Sequence, residues 1–555
     1  MNKALSYLSG KTDSPLLDLT IGQLLRRAVT QEPHKRAVVS VHQNVELSYL
    51  QLDQVSDLFA KGLVECGLVS GDRIGIWAPN CVEWIITMYA ASKLGLILVN
   101  VNPAYRSYEL EHALNKVGCK ALVMADQFKT SNYPEILQAV AGDVGQCGVG
   151  NLKSKAFPTL KTLILISELS RDGYASFNSV IDIGKASTFD ISRAELNVNC
   201  HMPVNIQFTS GTTGAPKGAT LSHHNIVNNG TNVGAGIKLT SDDLVCAPVP
   251  LYHCFGMVMA TLACASYGAT LVLPDDAFDP VSTLNAVQKE QCTALYGVPT
   301  MFGAMLDHSS FSDFDLTSLR TGIVAGSLCG QILMSRIINE MNMSEVTNCY
   351  GMTETSPVSF QSATDDPMQK RVTTVGSIHP YVEVKVVDIN GQTVVRGDAG
   401  ELCTKGYSVM QGYWNDQQKT DESIIDGWMH TGDQGIIDEQ GYCAIVGRIK
   451  DTIIRGGENI APKEIEDYLV THPEISDAQA FGVSDKKFGE IVAVWVKLKE
   501  GSQLSEQGLR DYCTQQIAYF KVPALVRFVD EYPLTVTGKI QKFKMREIME
   551  QASDV

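Results

Sequence analysis

The chain lacks several features that mark specialised classes of protein. Its 14 cysteines include no Cys-x-x-Cys pair and show no regular spacing, which predicts reduced thiols rather than a disulfide framework. Basic residues are in the minority, with 45 Lys and Arg against 61 Asp and Glu and a formal net charge of −16. We therefore expect no nucleic-acid partner, because such binding depends on positive charge that releases counterions.

The sequence also shows no pattern typical of a targeting or membrane-spanning segment. The first residues have no apolar core typical of a signal peptide, and Asp13 and Asp18 interrupt an arginine-poor start. Residues 244–274 carry no charge, but Pro248 and Gly268 are among several helix breakers within them. This stretch predicts a buried helix followed by a strand. We expect a soluble cytoplasmic protein without a transmembrane segment; weak peripheral membrane contact and the oligomeric state stay open.

What is present predicts at least two domains. The chain has 555 residues, of which 44% are hydrophobic, enough for several cores. Strand–helix–strand patterns recur through the first two-thirds, and they predict largely parallel sheets covered by helices. The pattern of the last hundred residues predicts a small α+β unit. The predicted organisation is an α/β N-terminal domain over residues 1–448, a hinge at 449–450 and a small C-terminal domain over 451–555.

One decapeptide has the composition of a phosphate-binding segment. Residues 209–218 read TSGTTGAPKG and follow the apolar stretch 203–208. Glycines let the backbone approach an anion, hydroxyls donate to phosphate oxygens and Lys217 adds charge. A P-loop is excluded, because Pro216 precedes the lysine and Gly218 follows it. The predicted phosphate-binding residues are Thr209, Ser210, Gly211, Thr212, Thr213, Gly214, Ala215, Pro216 and Lys217.

This segment resembles the phosphate-binding motif of the adenylate-forming enzymes, which include acyl-CoA synthetases, luciferases and adenylation domains of peptide synthetases. Five further segments resemble family motifs and follow in the family's order: Tyr350–Glu354, Thr431–Asp433, Gly447–Asp451, Arg455–Ile460 and Thr537–Lys539. The resemblance covers essentially the whole chain and is strongest to medium-chain fatty acyl-CoA ligases. It implies a large N-terminal domain and a small, mobile C-terminal lid domain.

The chemistry of these segments suits a bound nucleotide. Glu354 offers a hard oxygen ligand for Mg²⁺, Asp433 can accept from the ribose hydroxyls, and Tyr350 offers a face for adenine. The resemblance places Gly326 and Ser327 beside that tyrosine and gives Arg448 contacts to ribose and phosphates. The predicted ATP/AMP-binding residues outside the decapeptide are Gly326, Ser327, Tyr350, Gly351, Met352, Thr353, Asp433, Arg448 and Lys539.

The resemblance also implies two half-reactions and a rotation between them. In the family, the lysine matching Lys539 reaches between the carboxylate and the α-phosphate, so Lys539, Thr209 and Glu354 are the predicted catalytic residues. The glycine-rich loop predicts close approach of the coenzyme A arm; its residues are Gly456, Gly457 and Glu458. The C-terminal domain is expected to turn about Lys450.

The acyl end of the site is predicted from residues 250–256, where His253 and Gly256 resemble the family's pocket. No acidic residue occurs between 245 and 273, so a substrate amino group would lack its usual partner. This favours an unsubstituted fatty or aryl acid over an amino acid.

The sequence thus predicts an acid–thiol ligase with Mg²⁺. ATP would activate a fatty acid, most simply a medium-chain one, to an acyl-adenylate, and coenzyme A would take the acyl group to give acyl-CoA, AMP and pyrophosphate. Three alternatives stay open: an aryl acid as substrate, a different acceptor (a carrier-protein thiol, or oxygen as in luciferases), and a nucleotide-binding protein without catalysis. The presence of Glu354 and Lys539 favours catalysis.

Overall fold

The computed structural model describes residues 4–142, 144–167, 171–209, 216–327, 329–455, 458–514, 516–535 and 538–553; the side chains of residues 458, 459, 552 and 553 are not described. The chain packs as two compact units. One, called here the C-terminal unit, comprises Met1–Leu8, Val384–Cys403 and His430–Val555; the other, the N-terminal unit, comprises Ser9–Glu383 and Thr404–Met429. The predicted hinge at 449–450 lies inside the C-terminal unit, and its role stays a prediction.

Helices and strands alternate through most of the chain. The α-helices are α1 (Ile21–Gln31), α2 (Tyr49–Glu65), α3 (Val82–Lys93), α4 (Ser107–Val117), α5 (Tyr133–Ala141), α6 (Phe177–Ala186), α7 (Ile191–Glu195), α8 (His223–Gly236), α9 (Ala263–Tyr267), α10 (Pro280–Glu290), α11 (Pro299–Leu306), α12 (Gln331–Glu340), α13 (Met368–Thr373), α14 (Gln417–Ser423), α15 (Pro462–Leu469), α16 (Glu506–Cys513) and α17 (Lys542–Ser553).

The strands are β1 (Tyr7–Ser9), β2 (Arg36–Ser40), β3 (Val45–Ser48), β4 (Arg73–Trp77), β5 (Ile97–Asn100), β6 (Ala121–Ala125), β7 (Gln127–Phe128), β8 (Ser131–Asn132), β9 (Thr162–Ile166), β10 (Ala175–Ser176), β11 (Pro203–Thr209), β12 (Lys217–Ser222), β13 (Leu244–Cys246), β14 (Thr270–Leu273), β15 (Ala294–Gly297), β16 (Thr321–Ala325), β17 (Glu345–Gly351), β18 (Val358–Gln361), β19 (Ser377–Ile378), β20 (Val382–Val387), β21 (Gly400–Gly406), β22 (Gly412–Tyr413), β23 (Ile424–Ile425), β24 (Trp428–Ile437), β25 (Cys443–Arg448), β26 (Ile453–Arg455), β27 (Glu458–Ile460), β28 (Ile475–Asp485), β29 (Gly489–Leu498) and β30 (Leu525–Phe528).

Two large sheets form the N-terminal unit. One has the order β10-β9-β6-β4-β5-β11-β12-β22 and the other β19-β18-β17-β16-β15-β13-β14-β2-β3. Parallel pairs occupy the centre of both sheets, and antiparallel pairs such as β11·β12 and β17·β18 lie at their margins. The strand–helix–strand patterns of the sequence are thereby confirmed as largely parallel, helix-covered sheets.

Local sequence signals explain where helices begin. The Ser48 hydroxyl accepts the Gln51 N–H at 3.2 Å, and the Gln51 side chain accepts the Ser48 N–H at 2.8 Å, which forms a reciprocal cap at the start of α2. Asp279 caps α10 in the same position, with its carboxylate 2.8 Å from the Ser282 N–H.

The uncharged stretch 244–274 contains the predicted buried helix followed by strand β14, but it begins with strand β13, which was not predicted. The first part of the helix, Phe255–Leu262, is a π-helix that continues into α9. The Thr261 hydroxyl donates to the Gly256 carbonyl at 2.9 Å, five residues earlier, which matches the wider π turn. The periodic pattern does not distinguish this turn from an α-helix. Within the described residues, no helix combines the length and apolar character that a membrane crossing requires.

The end of the C-terminal unit is a small α+β fold, as predicted. Its sheet has the order β27-β26-β29-β28, and β30 pairs in parallel with β29. Buried apolar residues of this sheet and of α15 and α16 form one core, among them Ile465, Val494 and Leu509.

Candidate active site

One face of β11 carries a row of polar side chains that leads to the predicted phosphate-binding segment. Asn205, Gln207 and Thr209 alternate along the strand, so they share a face. The Asn205 amide donates to Asn100 Oδ1 at 2.9 Å, and the Gln207 amide donates to Asn205 Oδ1 at 2.9 Å. Asn205 and Gln207 are buried and hydrogen-bonded, which makes this face rigid up to Thr209.

The predicted catalytic residues Thr209 and Glu354 are in contact. The Thr209 hydroxyl donates to Glu354 Oε1 at 3.1 Å, and the Tyr413 hydroxyl donates to the same oxygen at 2.9 Å. The side chain of Glu354 is buried, and its carbonyl accepts the Met410 N–H at 2.9 Å. A buried carboxylate with hydroxyls around it is the kind of hard oxygen set that Mg²⁺ accepts beside phosphate oxygens.

Lys217 joins this cluster through Tyr413. Its Nζ lies 3.1 Å from the Tyr413 hydroxyl and 4.2 Å from the centre of that ring. Burial, followed by the negative charge of Glu354, raises the pKa of Tyr413, so the phenol stays protonated and donates. Sequence reasoning missed Tyr413. The only feature of the sequence that marks Tyr413 is its position after Gly412 in a short turn-rich segment.

The predicted adenine-binding residues lie at the ends of neighbouring strands. Ala325 of β16 pairs with Cys349 of β17 in parallel register, so residues 326–327, which follow β16, and residues 350–351, the last two of β17, lie at the same edge of the sheet. Gly351 approaches the Pro357 carbonyl so closely that an added Cβ would lie 1.7 Å from its oxygen. Met352 and Thr353 follow at the start of a 3₁₀ turn, Thr353–Thr355, which contains Glu354.

The predicted acyl segment is fixed by buried amides. The Asn80 side chain bonds the Val249 carbonyl at 3.0 Å and the Leu251 N–H at 2.8 Å, and Asn100 donates to the Tyr252 carbonyl at 2.9 Å.

Its two predicted pocket residues have structural contacts of their own. His253 Nδ1 accepts the Phe255 N–H at 3.2 Å. Gly256 lies against Pro250, whose carbonyl oxygen would be 2.4 Å from an added Cβ. The neighbouring Cys254 thiol donates to Gln207 at 3.0 Å, and burial raises its pKa to about 12, so it is not a nucleophile at neutral pH.

In the C-terminal unit, Asp433 and Arg448 face each other across β24 and β25. They are register partners, and Arg448 Nε lies 3.1 Å from Asp433 Oδ1. The Asp433 N–H bonds the Thr431 hydroxyl at 3.1 Å, and that hydroxyl donates to the Leu402 carbonyl at 2.7 Å. These contacts fix the orientation of the carboxylate.

Glu401 and His430, which sequence reasoning missed, hold the same part of β24. Glu401 Oε1 accepts the Gly432 N–H at 3.1 Å, and Glu401 Oε2 lies 2.8 Å from His430 Nδ1. Gly432 has a φ of +71°, which a side chain would strain. Glu401 precedes the motif by about thirty residues, so only the pairing of β21 with β24 reveals its role.

Lys539 and Lys450 lie on exposed segments of the C-terminal unit. The Lys539 N–H bonds the Thr535 hydroxyl at 3.0 Å, and its carbonyl accepts the Thr535 N–H at 2.7 Å. Lys450 belongs to the 3₁₀ turn Ile449–Asp451, directly after Arg448.

The predicted residues Ser210, Gly211, Thr212, Thr213, Gly214, Ala215, Gly456 and Gly457 lie outside the described residues, as does the side chain of Glu458. Of the decapeptide, the structure therefore describes Thr209 and residues 216–218.

Comparisons with known proteins give matches along nearly the whole chain. The model of the AMP-binding enzyme family matches residues 25–414, and that of the AMP-binding enzyme C-terminal domain matches residues 464–539. The mitochondrial medium-chain acyl-CoA ligase ACSF2 of Rattus norvegicus is 44% identical over 99% of this chain and 90% of its own. The putative acyl-CoA synthetase YngI of Bacillus subtilis is also 44% identical, over 96% of this chain and 97% of its own.

The fold also matches that of solved structures. The anthranilate CoA ligase AuaEII, solved in complex with anthranoyl-AMP, superimposes with a TM-score of 0.85 at 25% identity, over 98% of this chain and 99% of its own. The motifs, the Thr209–Glu354 contact and these matches lead to one conclusion: the chain belongs to the AMP-binding enzyme family and is an acyl-CoA synthetase of the adenylate-forming superfamily.

Proposed function

We propose that this acyl-CoA synthetase acts on a medium-chain fatty acid. The reaction class is ATP-dependent activation of a carboxylic acid followed by thioester formation with coenzyme A. The contact of Thr209 with the buried Glu354 carries the adenylation half of this function. The choice of acid is supported by the relative described as a medium-chain acyl-CoA ligase.

In the first half-reaction, the substrate carboxylate attacks the α-phosphorus of ATP and pyrophosphate leaves. Two anions must approach each other, so the site has to supply positive charge and oriented donors. Glu354 would hold a magnesium ion, which would neutralise phosphate charge. Lys217 and the Thr209 hydroxyl contribute a cation and a donor at the ends of β12 and β11. Asp433 would fix the ribose through its oriented carboxylate.

Lys539 is proposed to stabilise the charge that develops between the carboxylate and the α-phosphate. An ammonium group on a flexible stem acts as a point charge and can follow a moving transition state. In the second half-reaction, the coenzyme A thiol attacks the acyl carbon and AMP leaves. The residues proposed to admit its arm are Gly456, Gly457 and Glu458, and Lys450 is proposed as the pivot that brings them into play.

The acyl chain is proposed to lie against the π-helix Phe255–Leu262. Phe255, Met257 and Met259 are buried apolar side chains there, and methionine adapts to a linear chain. Each buried methylene contributes about 0.8 kcal/mol, or about a fourfold gain in affinity. Specificity for a fatty acid should therefore rise with chain length until the apolar surface ends.

An aryl acid is the second candidate substrate. The structural neighbour AuaEII is described as an anthranilate ligase, so this fold admits aromatic acids. We further propose a compartment with reduced thiols, such as the cytoplasm, since all 14 cysteines are free.

The test compares two assays over one panel of acids: acetate, octanoate, palmitate, cinnamate and anthranilate. ATP–pyrophosphate exchange reports the first half-reaction, and release of acyl-CoA reports both. We expect the highest kcat/KM in both assays with octanoate. Higher kcat/KM with cinnamate or anthranilate would replace the substrate proposal with the aryl one, and exchange without acyl-CoA would point to a carrier-protein acceptor.

A further inference from the structure

Metal-binding residue types cluster at the base of the β11–β12 hairpin, away from the residues assigned above. The two strands are antiparallel, with Pro203 opposite Ser222 at one end and Thr209 opposite Lys217 at the other. His201 lies two residues before β11, and His224 lies two residues after the end of β12. The phosphate-binding end and this cluster are therefore at opposite ends of the same strand pair.

Four side chains with suitable donor atoms meet at this base. The donor atoms of Asp18, Cys200 and His201 lie within 4.8 Å of one another. His224 adds a fourth, because its Nε2 lies 3.7 Å from Asp18 Oδ1. The imidazole rings of the two histidines have centres 4.8 Å apart.

Hydrogen bonds of the backbone hold three of these residues in place. The His224 N–H donates to the Cys200 carbonyl at 2.7 Å, which joins the start of α8 to the turn before β11. The Gln411 amide donates to the His201 carbonyl at 2.7 Å. Asp18 is well exposed, with 82% of its side chain accessible, so an ion can enter from solvent.

The donor set matches the preferences of a zinc-class ion. One thiolate, two imidazoles and one carboxylate are ligands that Zn²⁺ takes in tetrahedral sites, at about 2.0–2.3 Å from the metal. Such a tetrahedron has edges of about 3.3–3.8 Å. The Asp18–His224 distance already falls in this range, and the donor atoms of Asp18, Cys200 and His201 exceed it by at most about 1 Å.

We propose that Asp18, Cys200, His201 and His224 bind one zinc-class transition-metal ion. The ion would join the segment before α1, the turn before β11 and the start of α8. Its effect would be to close the base of the hairpin and to stabilise the N-terminal unit. It would take no part in the chemistry, which depends on residues at the other end of the strands.

The test uses the full chain after removal of metals by a chelator. Zn²⁺ is titrated in competition with a chromophoric chelator, and Co²⁺ is used as a spectroscopic probe of thiolate ligation. The variants are Cys200→Ser and His201→Asn. Their matched controls are Cys147→Ser, another partly exposed thiol, and His34→Asn, another exposed imidazole.

We expect one Zn²⁺ per chain in the wild type and in both controls. Cys200→Ser and His201→Asn should each weaken Zn²⁺ binding at least about tenfold, and Cys200→Ser should also abolish the sulfur-to-cobalt charge-transfer absorption. Zn²⁺ should raise the thermal midpoint of the wild type and not that of Cys200→Ser.

Unchanged Zn²⁺ affinity in Cys200→Ser and His201→Asn would overturn the proposal, as would the absence of stoichiometric binding. Loss of binding in Cys403→Ser would also overturn it, since that thiol belongs to a separate group with Glu401 and His430. Because activity is not the readout, a wrong substrate assignment leaves this test intact.

Discussion

The two groups of predicted catalytic residues differ in how firmly the fold holds them. In the N-terminal unit, Glu354 is 5% exposed and receives hydrogen bonds from Thr209 and Tyr413. In the C-terminal unit, Lys539 is exposed, and its N–H and carbonyl bond the hydroxyl and the N–H of Thr535. The buried group in the N-terminal unit is suited to binding phosphates and a metal ion that stay in place during the reaction. The exposed lysine is suited to supplying a positive charge that only the first half-reaction requires. Substitutions should therefore separate the two half-reactions.

The largest effect is expected from Lys539→Ala. Loss of this cation should lower the rate of ATP–pyrophosphate exchange by about 10²–10³. Thioester formation from supplied acyl-adenylate should change far less, because no pyrophosphate has to leave in that step. Both rates are measured on the same enzyme preparation.

Lys544→Ala is the matched control for Lys539→Ala, because it removes a lysine from the same unit and should leave both rates unchanged. If Lys539→Ala slows both half-reactions equally, the lysine acts on the whole site, and the contrast between fixed and exposed groups fails.

Glu354→Gln should have a smaller effect and lower kcat/KM for ATP by about 10²-fold. The amide keeps the size of the side chain and its hydrogen bonds, but it lacks the charge that would hold the metal. Initial rates measured against Mg²⁺ concentration should show a higher requirement for the ion.

Tyr413→Phe provides the comparison for Glu354→Gln. It removes one hydrogen bond to the carboxylate and keeps the charge, so we expect about a three- to tenfold loss and an unchanged Mg²⁺ requirement. Equal Mg²⁺ dependence in both variants would contradict a metal-binding role for Glu354.

The smallest effect is expected from Glu401→Gln, about three- to tenfold in KM for ATP. Glu401 acts through Gly432 and His430 on the orientation of Asp433, so it is a positioning residue. The kcat of thioester formation from supplied acyl-adenylate and the thermal midpoint should stay unchanged. A lower midpoint with an unchanged KM would show that Glu401 is purely structural.

The sequence predicted the fold class and the parallel sheets, and it named Thr209 and Glu354 as catalytic residues, because these follow from strand patterns and ordered motifs. The contact between the two side chains is visible only in the structure. It did not predict Tyr413 or Glu401, whose roles depend on strand pairing between distant segments. The row formed by Asn205 and Gln207 had a signal, since buried polar residues alternate in an otherwise apolar strand. The domain boundary, the hinge and the cytoplasmic location stay predictions.

The π turn at Phe255–Leu262 has a consequence for how the proposed acyl pocket of this chain can change. A π-helix has more residues per turn than an α-helix, so removing one residue could restore the ordinary winding without unfolding the segment. Every side chain before the deletion would then rotate relative to those after it. The loss of a single codon would thus change the direction of several apolar side chains at once. Chain-length preference could evolve by this route as well as by substitution of the side chains one at a time.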